Sequence, residues 1–412
     1  MPTGSTLTAD AEVPEKRIMD ATATTIDIFN TMGQFAGLLL RWEAPCSFIH
    51  VANVLILEPW HQGSHRSWVE GWRSKSKHSI SVVDGSDSGW RRSLITAPSI
   101  FAAEIDNASG EVDVLVASTP IDLATVFGLL HRSTPRPPTL LYMHESQIGY
   151  PPGPKGGRAF RGIIADWGSI LSADRTAVAS RFHADLLLRE LPVFIEELTR
   201  GAGSKVEAAL SNIEILPVGI KTFGMHPKSA DGKPKILWNH RWSHDKRPAD
   251  FVHAMTKLAA EGLEFEIFAL GEVERSGAEP HKRLKRQLPD RLACCGAQNK
   301  SDYRDILHRA DLVVSTAQHD FFGVAIAEAI AAGARPVLPW RLAYPELLPT
   351  SLHPDLLYEG SLHDALRPIL ASDRDRLHVH RAATQGHVDC FSWQNLAPKY
   401  DLIVDEMVAS SQ

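Results

Sequence analysis

Two series of short apolar runs, each interleaved with helix-length stretches, set the strongest limit on how this 412-residue chain folds. The first series is "VANVLILEP", "SISVVD", "DVLVAS", "TLLYMHE" and "ILSADRTAVAS". The second is "KILWNH", "EFEIFAL", "DLVVST" and "RPVLP". Runs that are apolar almost throughout predict strands buried on both faces, and the intervening helices supply that cover. A Gly/Pro/Lys-bearing stretch, "KTFGMHPKSADGKPK", separates the series and reads as a hinge. The expectation is an α/β chain of two doubly wound Rossmann-like domains facing across a cleft. The boundaries are 1–49 for a partly disordered extension, 50–218 and 235–390 for the two domains, and 219–234 for the hinge. Residues 391–412 form a final helix, "FSWQNLAPKYDLIVDEMVA", that packs back across the domains. Within the extension, "IDIFNTMGQFAGLLLRW" is a candidate amphipathic helix with no assigned chemistry.

Composition narrows the partners. The net charge of −6 supplies no general positive field, so a nucleic-acid ligand needs a local basic patch. Cys46, Cys294, Cys295 and Cys390 show neither paired metal spacing nor a disulfide framework, which fits a reducing cytoplasm. Cys294 and Cys295 are expected in or beside a buried strand. The best membrane candidate, "FAGLLL", is far too short to span, and the N-terminus lacks the basic-then-apolar order of a secretory signal.

Ligands of open α/β sheets bind beyond the carboxyl ends of the strands, so chemistry is sought there. Gly63-Ser64-His65 follows the first strand and opens a helix; it is neither G-x-G-x-x-G nor a Walker loop, and by itself reads as an ordinary turn. His144 and Glu145 end "TLLYM" and are candidates for substrate contact or acid–base work. No G-x-S-x-G elbow is present for a Ser/His/Asp nucleophile. In "NHRWSHDKRP", Arg241 and Lys246 offer the fork donor and point charge that a diphosphate leaving group requires. His240 and His244 read as packing or surface residues. In "TAQHDFFGVAIAEAIAAGARPV", Phe322-Gly323-Val324 opens a helix whose free N–H groups suit phosphate. Asp320 precedes that helix and is either a cap or a ligand contact. Glu328, set among alanines, is costly to bury without donors such as vicinal sugar hydroxyls. Two acids without a third ligand make a poor metal site.

These residues resemble the nucleotide-sugar signature of retaining glycosyltransferases with the GT-B fold, an acid followed after seven residues by Glu. "GSH", "YMHESQIGYP", "ILWNHRWSHDKRP", "ADLVVSTAQHDFFGVAIAEA", "YPELLP" and "FSW" look more narrowly like the tRNA-queuosine mannosyltransferase family, over roughly residues 51–400. The resemblance implies GDP-mannose as donor, queuosine in a tRNA anticodon as acceptor, retention of the α configuration, and no metal or cofactor. It implies that Glu328 holds the ribose, Asp320 the sugar hydroxyls, and the Phe322-Gly323-Val324 turn the diphosphate. Arg241 and Lys246 offset the diphosphate charge, His144 lies near the sugar, and Gly63 shapes the phosphate or acceptor side. Asp320 stands where the family has Glu, and "PGPKGGRAFRG" departs from the family's more aromatic segment. Lys155, Arg158 and Arg161, with Arg132 and Arg136 nearby, are the candidate tRNA contacts; "HKRLKRQLPDR" reads as solvated surface. Two other readings stand beside this one. One is a transferase using a small molecule, lipid or glycan acceptor; the other is a non-catalytic nucleotide- or RNA-binding protein of the same fold.

Overall fold

The computed structural model describes residues 51–108, 110–150, 160–222, 224 and 232–411. The extension and its candidate helix, most of the hinge, and Lys155 and Arg158 lie outside the described residues.

The first half alternates β1 (Asn53–Glu58), α1 (Gly63–Arg73), β2 (Ser79–Asp84), α2 (Trp90–Asn107), β3 (Val114–Ser118) and α3 (Leu123–Leu129). It continues with β4 (Thr139–Met143), α4 (Phe160–Ser172), β5 (Arg175–Val178), α5 (Arg181–Leu198), α6 (Gly203–Leu210) and β6 (Glu214–Ile215). The stretch "ILSADRTAVAS" is therefore divided, its start finishing α4 and only its end forming β5. The second half runs β7 (Lys235–Asn239), α7 (Pro248–Ala260), β8 (Glu266–Leu270), α8 (Ala278–Gln287), β9 (Leu292–Gly296) and α9 (Lys300–Arg309). Then come β10 (Leu312–Val314), α10 (Val324–Ala331), β11 (Arg335–Pro339), α11 (His353–Leu356) and β12 (Leu357–Tyr358). The chain closes with α12 (Leu362–Leu370), α13 (Arg381–Val388) and α14 (Trp393–Ser410).

Both sheets are parallel throughout and differ in order. The first is β2-β1-β3-β4-β5-β6 and the second β12-β11-β10-β7-β8-β9. Strand order reverses between β1 and β3 in the first sheet and between β7 and β10 in the second. A crevice opens at such a reversal because the flanking connections leave in opposite directions, one to each face. The central strands β3 and β4 are buried along their whole length, as their unbroken apolar runs require. Cys294 and Cys295 sit in β9, an edge strand of intermediate burial rather than a buried one.

The final helix returns to the first domain. Ile220 pairs with the segment entering α14, its N–H donating to the Phe391 carbonyl at 2.8 Å. Trp68 Nε1 then donates to Tyr400 Oη at 3.0 Å, and Trp72 Nε1 to Asp401 Oδ1 at 2.9 Å. The Trp393 ring is packed so tightly that a Cβ on Gly71 would lie 2.0 Å from it and one on Gly219 2.3 Å.

Candidate active site

The second-domain wall is built at the β7/β10 crevice. Lys246 follows β7 and is nearly buried; its Nζ lies 3.5 Å from Asp320 Oδ2 and 3.4 Å from Asp245 Oδ2, and donates to the His319 carbonyl. Asp320 also accepts from Tyr344 Oη at 3.1 Å, and Tyr344 is joined to His240 through Ser315 Oγ at 2.8 and 2.9 Å. Burial alone would raise the Asp320 pKa, but Lys246 above all, with His240 and the Tyr344 hydroxyl, holds it below the usual carboxylate value. Asp320 is thus an anion held in a fixed frame by protein partners, and the α10 cap position falls to Gly323.

Gly323 caps α10 at φ 91°, a left-handed conformation that glycine adopts without strain. A Cβ there would stand 3.1 Å from the Tyr344 ring, the group that holds Asp320. The helix bonds begin with Ile326 and Ala327 donating to the Gly323 carbonyl, so the Val324 and Ala325 N–H groups have no partner within the helix. One turn on, Glu328 Oε2 accepts from Tyr303 Oη at 2.8 Å, and Asn239 Nδ2 donates to that tyrosine at 2.9 Å. Burial raises the Glu328 pKa despite these donors. Arg241 stands half exposed at the mouth, 3.1 Å from Glu274.

The first-domain wall lies at the β1/β3 crevice. Glu58 ends β1 and is fully buried. Its Oε1 accepts from the Trp60 N–H and from His65 Nδ1, each at 3.0 Å, and its Oε2 from Ser118 Oγ at 2.8 Å. Gly63 starts α1 at φ +54° with nothing within 4 Å of a Cβ position, leaving its backbone open to the cleft. The His144 ring sits 4.3 Å from His65 and edge-on to Trp68 and Tyr142, both at 4.7 Å. Burial, then the neighbouring His65 and His183, drive its pKa well down. Glu58, His65 and His144 also bring three ligand-type atoms within 4.8 Å of one another. Both Glu58 oxygens are already bonded, to Trp60, His65 and Ser118, and His144 joins the group through its ring contact with His65.

The two walls touch. Glu346 accepts from the Arg181 and Phe182 N–H groups at the start of α5, both at 2.8 Å. His183 stacks on Phe321 at 4.0 Å and Tyr150 lies 4.1 Å from His319. The Nε2 atoms of His144 and His319 and both ring nitrogens of His183 are buried without a partner.

The first half, residues 53–220, matches the model of the tRNA-queuosine alpha-mannosyltransferase N-terminal domain, and residues 225–339 match that of glycosyl transferases group 1. The Drosophila melanogaster protein named tRNA-queuosine alpha-mannosyltransferase is 27% identical over 389 residues, covering 87% of this chain and 98% of its own. Over its first domain this chain is similar to the tRNA-queuosine alpha-mannosyltransferase family. It is a glycosyltransferase with the GT-B fold. Sucrose-phosphate synthase from Thermosynechococcus elongatus shares that fold at TM-score 0.67 and 15% identity, over 87% of this chain and all of the other. A glycosyltransferase from Rickettsia africae does so at TM-score 0.62 and 15% identity, over 87% and 99%.

In this glycosyltransferase, Lys246, Asp320, Phe322, Gly323, Val324 and Glu328 gather at the second wall, with Arg241 at its mouth, while Gly63 and His144 lie on the first. Arg161 is exposed in the first turn of α4, on the cleft side. Arg132 and Arg136 are not beside it: they precede β4, at the amino ends of the strands, where Arg136 pairs with Asp174 at 3.1 Å and covers Phe127. The run "HKRLKRQ" is the surface helix α8, anchored by Leu284. Sequence reasoning missed Glu58, Tyr303, Tyr344 and Glu346. Only Glu58 carried a readable signal, an acid closing an otherwise apolar strand. Among the described residues no helix is long and apolar enough to cross a membrane.

Proposed function

We propose that this protein transfers mannose from GDP-mannose to the cyclopentenediol of queuosine in a tRNA anticodon, with retention of configuration. The observation that carries the reading is the match of the first domain, the acceptor side, to the tRNA-queuosine family model. Glu328 binds the ribose hydroxyls, the α10 N-terminus and Lys246 take the diphosphate, and Arg241 adds charge from the cleft mouth. Such groups stabilise a leaving diphosphate best where water is excluded, which the contacts between the walls favour. Asp320 and the unpaired histidine nitrogens bond the sugar hydroxyls. The two cationic side chains fill the role a metal would otherwise serve. Arg161, with Lys155 and Arg158 in the adjoining segment, meets the anticodon phosphates, and an unpaired modified base reaches the cleft from the loop.

The test incubates the protein with GDP-mannose, UDP-glucose or UDP-galactose and with tRNA that carries or lacks queuosine, then weighs the digested nucleosides. A hexose added to queuosine from GDP-mannose alone is expected, with Glu328→Ala inactive and folded. Transfer from another donor would assign a changed donor to the shorter Asp320. No transfer to queuosine from any donor would remove the tRNA acceptor.

A further inference from the structure

We infer that the cleft rim carrying Trp340, Arg341, Arg181 and Arg161 is a docking surface for single-stranded RNA, with Trp340 the platform on which one unpaired base stacks. The inference rests on the proposed tRNA acceptor and deepens it. It names the second-domain group that grips the anticodon loop while the modified base occupies the cleft.

The first observation is exposure. Among the described tryptophan side chains, Trp68, Trp72, Trp238, Trp242 and Trp393 are buried, Trp60 and Trp167 are partly so, and Trp340 alone is exposed, by 48%. The exposed indole is nevertheless anchored. Its backbone N–H donates to the Tyr358 carbonyl at 2.8 Å, and its ring meets His353 edge-on at 5.8 Å. A large ring held in place and half in water suits stacking, because little side-chain freedom is lost when a base covers it.

The second observation is position. Trp340 is the first residue beyond β11, which runs parallel to β10, so it stands at the carboxyl ends of the strands, where β10 leads on to Asp320. Arg341 is exposed and fixed to the same place, its Nε and Nη2 donating to the Ala317 and Thr316 carbonyls at 2.9 and 3.3 Å. Farther along, Glu346 accepts from the Arg181 N–H and so brings the start of α5 to this rim. Arg161 opens α4, and α4 and α5 begin side by side because they follow the neighbouring strands β4 and β5. Both arginine side chains are exposed. The donor groups are elsewhere: Arg241 and Lys246 follow β7, and Glu328 is bonded toward β7 through Tyr303 and Asn239. Strand order is β11-β10-β7, so the indole lies on the opposite flank of β10 and is left for the acceptor.

Charge selects the partner. With a net charge of −6, the chain draws RNA only where cations gather. Arg161, Arg181 and Arg341 supply guanidinium groups for phosphates, and Trp340 supplies a ring for a base, the combination by which single strands are held. Glu346, between them, is taken up by the Arg181 and Phe182 N–H groups. A duplex hides its base faces and would leave the indole unused, whereas an anticodon loop offers unpaired bases.

Fluorescence anisotropy of a labelled, queuosine-bearing anticodon stem-loop, without donor, reads this binding apart from transfer. Trp340→Ala is expected to weaken affinity about 10-fold, and Trp340→Phe, which still stacks, less than about threefold. Arg181→Gln is expected to lower the slope of log affinity against log salt by about 0.7, the share of one single-strand phosphate, while Trp340→Ala keeps the wild-type slope. The KM for GDP-mannose should be unchanged in all three. Thermal melts accompany each variant, and Trp340→Leu, apolar but unable to stack, replaces Trp340→Ala if that variant melts early. Wild-type affinity in Trp340→Ala, equal losses in the Ala and Phe variants, an unmoved salt slope in Arg181→Gln, or a GDP-mannose KM that rises with the loss of RNA affinity would each overturn the inference. A wild type that binds the stem-loop but adds no hexose would overturn the proposed reaction and leave the rim standing. A wild type that binds no stem-loop would remove the tRNA acceptor and the rim together.

Discussion

Three buried histidines tie the stability of the cleft to pH. Desolvation is the main cause in each, lowering the pKa of His183 and His240 to about 3 and of His319 to about 4. Unfolding exposes them to water, where an imidazole titrates near 6.5. Their contribution is therefore complete above pH 6.5 and is lost as pH falls through the interval down to about 3–4. On the order of 2 kcal/mol per histidine is lost at pH 5. Thermal melts should hold level from pH 8 to about 6.5 and fall from there to pH 5, and His183→Phe, which removes two unpaired nitrogens beside Phe321, should flatten that fall. A second residue-scale prediction concerns Tyr303. Tyr303→Phe deletes one donor to Glu328, worth about 1 kcal/mol, so the sugar-nucleotide KM should rise about fivefold with kcat near wild type. An unchanged KM would deny Glu328 its ribose role. Glu328 was legible because an acid on an apolar helix demands an explanation. Tyr303 was not, because it sits in an ordinary amphipathic helix and meets Glu328 only through the fold.

At the scale of elements, the contact between Glu346 and α5 decides how the two walls are held. Two of the orphan N–H groups of a first-domain helix are taken by a carboxylate from the second domain. An acid at a helix start interacts with the dipole as well as with the donors. Glu346→Ala should cost about 1–2 kcal/mol by thermal melt. It should also raise KM for donor and acceptor together, since both substrates gain from the closed arrangement. A loss of stability with both KM values unchanged would reduce Glu346 to a helix cap. The alternation of strands and helices was readable from apolar runs, and so was the placing of Arg241, Lys246 and Asp320 beyond strands. Strand order was not. "VLILE" and "DVLVAS" look alike in sequence, yet only pairing over long separations sets them side by side and brings Ser118 to Glu58. Arg136, close in sequence to "YMHESQ", lies instead at the amino end of β4, a strand's length from its carboxyl end.

The whole molecule is fastened by α14, which the sequence placed correctly as a helix but whose anchoring groups it could not name. Trp393 fills the space beside Gly71 and Gly219, and Gly71→Ala would drive a methyl into its ring. Overpacking of this kind costs about 1–3 kcal/mol, read as a lower denaturant midpoint. An unchanged midpoint would show that the ring has room to move. This arrangement also fixes an order of events. The groups that complete the first domain's buried face, Tyr400 and Asp401 among them, are translated only after the entire second domain. The half of the protein that leaves the ribosome first is thus the last to be finished, and until then the Trp68 and Trp72 indoles have no acceptor from α14.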